Sequence, residues 1–142
     1  MIGRLLLMSV LICFGSAAHA DEAKVVAPMS SIKIVAVEPD AAHPIYPGDT
    51  VNVKVKVDYE IFEPAGMVSL IIQKEDIGKA VPDALLGAAM KPVTQGKGTV
   101  ELEKSIVVPQ GKVIQIFTPL LIQGANQTNV VDRKLLDIKK RE

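Results

Sequence analysis

Thr50-Val-Asn-Val-Lys-Val-Lys-Val-Asp-Tyr-Glu-Ile-Phe62 decides the fold class of this chain. Val51, Val53, Val55, Val57, Tyr59 and Ile61 alternate without a break with Asn52, Lys54, Lys56, Asp58 and Glu60. Successive strand side chains point to opposite faces, so this run commits one face to a core and the other to water. Pro47-Gly-Asp49 before it and Glu63-Pro-Ala-Gly66 after it read as turns.

Working outward, other segments fit the same template. Ile32 to Glu38 is a short apolar strand ending at Pro39, and Val68, Leu70 and Ile72 alternate ahead of Lys74-Glu-Asp76. Thr99 to Val108 carries Val100, Leu102, Ile106 and Val108 in one phase. Lys104 falls in that phase too, which predicts a bulge or an edge there. Pro109-Gln-Gly111 turns into Lys112 to Gln123, where Ile114, Ile116, Leu120 and Ile122 share a face. Pro119 interrupts this strand and predicts an edge or a bulge near its end. Gly124 to Thr128 reads as a turn and Asn129 to Lys140 as the last strand, whose register the apolar residues leave open.

Beyond residue 20, Val and Ile total 29 against 8 Leu, a bias that suits strands. Six or seven strands separated by Gly and Pro turns predict an all-β, two-sheet antiparallel sandwich over residues 31–142, a single domain. One stretch breaks the pattern. Pro82-Asp-Ala-Leu-Leu-Gly-Ala-Ala-Met90 lacks β-branched residues and reads as a short helical insert, with Pro82 at its first turn and Pro92 as its stop.

Residues 1–20 have the form of a signal peptide. Arg4 gives a positive head, Leu5 to Phe14 an apolar run, and Ala18-His-Ala20 the small-x-small pattern of a cleavage site. Cleavage after Ala20 predicts a periplasmic or secreted protein with an N-terminal extension over residues 21–30. The apolar run is shorter than the roughly 20 residues a membrane span needs, so no transmembrane segment is expected once it is removed. The only cysteine, Cys13, lies inside it. Thiol catalysis, disulfides and thiolate metal sites are thereby excluded from the processed chain. That chain has 15 basic and 16 acidic residues. Such a balance provides no basic field for nucleic acid.

The strand Pro47-Gly-Asp-Thr-Val-Asn-Val-Lys-Val55 resembles the second strand of bacterial immunoglobulin-like modules, and Asn129-Val-Val-Asp-Arg-Lys-Leu-Leu-Asp-Ile-Lys139 is similar to their closing strand. The likeness is to the broad immunoglobulin-like and fibronectin-type-III-like sandwiches and covers about residues 31 to 140. It departs from antibody-type domains in lacking the Cys pair, the core Trp and the corner Tyr. These modules share a shape, so the resemblance implies a fold and no site.

The residues offer little for catalysis. His43 is the only His beyond the signal segment, in Pro39-Asp-Ala-Ala-His-Pro-Ile-Tyr-Pro47, and zinc wants three or four ligands. Copper held by His43 with Met29, Met67 or Met90 suits ligand softness, but nothing clusters these four in sequence. Glu75/Asp76 and Glu101/Glu103 read as solvated carboxylates, and Gln95-Gly-Lys-Gly98 as a turn without phosphate-loop spacing. Asn126-Gln-Thr128 has the form of an N-glycan acceptor. No cofactor and no enzymatic activity are expected. The expected role is that of an accessory or adaptor subunit binding another protein through the apolar insert: Val81, Leu85, Leu86, Met90 and Val93. The alternative is a small-ligand module for glycan or metal, with His43 and Tyr46 as its site.

Overall fold

The computed structural model describes residues 29–75, 84–122 and 130–142. The signal segment, Val81 and the Asn126-Gln-Thr128 sequon lie outside the described residues. Five strands follow in chain order: β1 (Ser31–Glu38), β2 (Thr50–Glu75), β3 (Leu85–Val107), β4 (Val113–Ile122) and β5 (Val130–Asp137). All pairings between them are antiparallel. Together they make one hydrogen-bonded sheet that curls into a half-barrel. Among the described residues there is no helix and hence none long and apolar enough to cross a membrane.

The 26 residues of β2 organise everything else. β3 runs along one edge of β2 for its whole length, from Thr50↔Val107 to Gln73↔Leu85. The other edge is shared: β1 takes Lys54 to Glu60, and β4 takes Gly66 to Glu75. β5 then pairs with the far side of β4.

Glu63-Pro-Ala-Gly66 and Gln95-Gly-Lys-Gly98, both expected to reverse the chain, are two sides of one bend. Tyr59 pairs with Gly98 and Ile61 with Gly96, the register then slips, and Ala65 pairs with Thr94. Phe62, Glu63 and Pro64 thus lie opposite Gln95 alone, a bulge of the kind that curves a sheet. Pro64 has no N–H to pair and Gly96 takes φ 117°, a conformation other residues rarely adopt. The bend is pinned by side chains. Gln95 Nε2 donates to the Phe62 carbonyl at 2.9 Å, Phe62 N–H to Ser30 Oγ at 3.3 Å, and Ser30 Oγ to Glu63 Oε2 at 2.8 Å. Gly66 is required by close packing, since a Cβ there would lie 2.5 Å from Ile61 Cδ1 and 3.0 Å from the Leu121 carbonyl.

The bulge also switches phase. Val53, Val55, Val57 and Ile61 face the core before it; Val68, Leu70 and Ile72 face the core after it. They join Leu102, Ile106, Ile114, Ile116 and Leu120 in one buried cluster on the concave side. Tyr59 packs on its margin.

The described part of the helix expected over 82–90 is strand instead: residues 85–90 begin β3 and pair with β2 from Gln73 to Ser69, while 82 and 83 lie outside the described residues. Pairing along the open edge of β2 gives partners to the backbone groups of the segment that face it and leaves the others to water. Together with burial of Val93 and Leu86 against the core, this outweighs a weak local helix preference. Pro119 also departs from expectation, because β4 is internal, between β2 and β5, without a register slip. Pairing with β2 simply lapses at Thr118 and Pro119, where the missing N–H has nothing to donate. The expectation for Lys104 is met in its edge form: β3 pairs with β2 alone among the described strands, and Lys104 is exposed, its stem beside Gly87.

Leu70 is completely buried, whereas Val107 is 61% exposed on the same sheet. Leu70→Ala is expected to lower unfolding free energy by about 2–5 kcal/mol. Val107→Ala should change it by less than about 0.5 kcal/mol. Urea denaturation followed by circular dichroism measures both, and equal effects would contradict this placement of the core.

Candidate functional site

The phase switch gives the convex side two different faces. Over the first half of β2 it is charged. Lys54 meets Glu101 at 3.7 Å, Glu60 meets Lys97 at 3.3 Å, Asn52 donates to Glu103 at 3.1 Å, and Thr99 donates to Asp58 at 2.7 Å. Over the second half the register sets Met90, Ser69, Pro119 and Val131 side by side across four strands. The next row holds Ala88, Ile71, Phe117 and Arg133, and the row on the other side Pro92, Met67 and Leu121. Met90 is 62% exposed, Val131 53% and Leu121 40%. Ser69, in the middle, is buried beneath its larger neighbours. Charged side chains border this patch at Glu75, Arg133 and Asp137, with the Gln115 amide between the first two. There the Gln115 amide is oriented to donate to Glu75 Oε2 at 2.6 Å and to accept from Arg133 at 3.1 Å.

Of the apolar residues singled out from sequence, Leu85 and Met90 are solvent-exposed on β3, Leu86 packs against the core margin, and Val93 is inside the core. A strand alternates where a helix would have gathered them on one stripe. The residues that accompany Met90 come from β2, β4 and β5, and single-segment patterns gave no signal for them. The available signal lay in odd positions 117, 119 and 121 of β4, apolar like most of the even ones.

His43 and Tyr46 stand in the loop between β1 and β2 but do not share a site. His43 N–H donates to the Asp40 carbonyl at 3.0 Å, its ring Nδ1 lies 2.8 Å from Asp40 Oδ1, and Ala42 N–H donates to the same oxygen at 3.0 Å. Those hydrogen bonds, the one from His43 foremost, hold the Asp40 carboxyl below its ordinary pKa. Tyr46 is turned the other way, under the Arg141 guanidinium at 5.4 Å from the ring centre, and Arg141 pairs with Asp49. Among the described residues no three His, Cys, Asp or Glu side chains gather as a metal site.

These features define an all-β scaffold with a divided convex surface. No known protein family and no curated protein sequence matches the chain. Among solved structures it is similar to Spo0M, a sporulation control protein from Bacillus subtilis, at 14% identity and a TM-score of 0.50. The match covers 80% of this chain and 50% of that one, and it supports a β-rich fold alone.

Asp40 supplies a pH test. Because its folded-state pKa is depressed, the loop interaction is present above the ordinary aspartate range and is lost as pH falls through the lower folded value. Carboxyl-carbon NMR should find the Asp40 midpoint below that of an unstructured aspartate, and His43→Ala should raise it. An unchanged midpoint in the variant would contradict the assigned cause.

Proposed function

We propose that the chain is an exported, non-catalytic binding protein that docks another protein as an accessory or adaptor subunit. The observation that supports it is the contrast between the two convex faces. One half of the same sheet carries cross-strand ion pairs, and the other exposes Met90, Leu121 and Val131 around the half-buried Met67, Ile71 and Phe117. Large contiguous apolar patches on soluble domains mark interaction surfaces, and this one has the polar rim that interfaces carry. Its occupant is a protein surface that is itself apolar and uncharged, laid across β2, β3 and β4. Export rests on the sequence of residues 1–20. The immunoglobulin-like kinship of Pro47 to Val55 belongs to this reading: the two halves of β2 bury their side chains into one core, as paired sheets of a sandwich do.

A photo-crosslinking residue at position 90 is expected to give, in intact cells, one discrete adduct that position 54 does not. The captured protein, identified by mass and purified, should bind the isolated chain. Leu121→Asp should weaken that binding by about tenfold or more, as a change within an interface centre does. The variant's unfolding midpoint should match the parent's. No adduct from position 90, or an adduct with the mass of two copies of this chain, would overturn the adaptor reading.

A further inference from the structure

The sheet is not closed. β1 and β5 are the end strands along the path β1-β2-β4-β5, with β3 forming a further edge on β2, and no ladder pairing joins β1 to β5. At one end of the seam Asp132 reaches across, its Oδ2 accepting from Ile34 N–H at 2.8 Å. At the other end Ile45 forms an isolated bridge with Ile138, and Lys139 N–H donates to the Ile45 carbonyl at 2.9 Å. Between these two ties β1 bulges at Val35 and the strands stand apart. The gap is a cleft of about 430 Å³ with walls from β1, the β1–β2 loop and β5. That volume falls within the range of small-molecule sites, roughly 300–1,000 Å³.

Its walls are mostly apolar: Val35, Val37, Pro39, Pro44, Ile45 and Leu136. Four charged residues also line it. Asp40 is occupied by His43 and the Ala42 N–H. Asp137 sits on the strand positions of β5 that alternate away from the core. Lys134 is on the same inward row as Asp132 and Leu136, and neither it nor Lys139 has an ion-pair partner among the described residues. Although its row faces inward, Lys134 remains solvent-exposed beside the open seam. Its neighbour two residues earlier in that row, Asp132, already has its partner in Ile34.

We infer that this seam cleft binds a small amphiphile with an apolar body and one carboxylate or similar anionic group. The body lies against Val35, Val37, Pro44, Ile45 and Leu136, and the anion pairs with Lys134 and Lys139. An ammonium on a flexible stem reads an anion as a point charge while its methylenes extend the apolar wall. The site is distinct from the convex patch and does not depend on the adaptor reading. It includes His43 through the loop that forms one wall and leaves out Tyr46.

Calorimetry with decanoate, 1-decanol and decylamine tests it on the full chain. Decanoate is expected to bind saturably at one site and at least about tenfold more tightly than the other two, the factor that one charge-assisted contact supports. Lys134→Gln with Lys139→Gln should bring decanoate down to the level of decanol and leave decanol unchanged. Ala41→Trp, in an exposed stretch of the loop wall, should abolish binding of decanoate without lowering the unfolding midpoint. Absence of saturable decanoate binding would overturn the inference, as would equal affinity for decylamine or indifference to Ala41→Trp.

Discussion

The bulge that sets Phe62, Glu63 and Pro64 against Gln95 is the constraint on which the rest depends. A flat hairpin of two strands this long would leave one face of β2 buried along its whole length and the other wet. Slipping the register halfway curves the hairpin and changes which residues face inward, so that Val57 and Leu70 enter one core from the two halves of one strand. Ser30, Glu63 and Gln95 hold the bend with hydrogen bonds to the backbone and to one another. With the Phe62 N–H and carbonyl met in this way, the irregularity costs less than it would with both left open.

Two surfaces follow from that curvature. The convex side is polar where β2 alternates Val with Lys, Asp and Glu. It is apolar where the outward residues are Met67 and Ile71 beside Phe117 and Leu121. The concave side closes around aliphatic residues but stops short of joining β1 to β5, and the seam becomes a cleft lined by two lysines without an ion-pair partner among the described residues. A likeness to Spo0M at 14% identity accords with the scaffold and leaves its surfaces to be argued from this chain's own residues.

The strands are legible in the sequence because alternation is a local property: Ile32–Glu38 coincides with β1 and the described part of Lys112–Gln123 with β4, while Thr50–Phe62 is the first half of β2, which continues to Glu75 past the turn expected at Glu63 to Gly66. What local reading misjudged was punctuation. Pro64 and Gly66, Gly96 and Gly98 carry the chemistry of turns, and that same chemistry builds a bulge when both strands bend together. The stretch from Leu85 to Met90 has helix-forming composition, yet it continues β3 because the edge of β2 is there to receive it. Neither the patch nor the cleft was visible as a unit. Met90 meets Pro119 and Val131 only through a four-strand register, and Lys134 nears Val35 only because the sheet curls. His43, a ligand residue only in the alternative reading, lines the cleft and shapes the loop around Asp40.

Disulfide trapping across the bend tests the account most directly. In a Cys13→Ser background, Lys56→Cys with Glu101→Cys probes the β2–β3 pairing before the bulge, and Ser69→Cys with Met90→Cys probes it after. A single long hairpin, bent but not reversed, predicts that both pairs oxidise in high yield within folded protein. If residues 63–66 instead turned the chain back on itself, Ser69→Cys would link to Glu60→Cys. Capture of that pair, with Ser69→Cys and Met90→Cys staying reduced, would contradict the account.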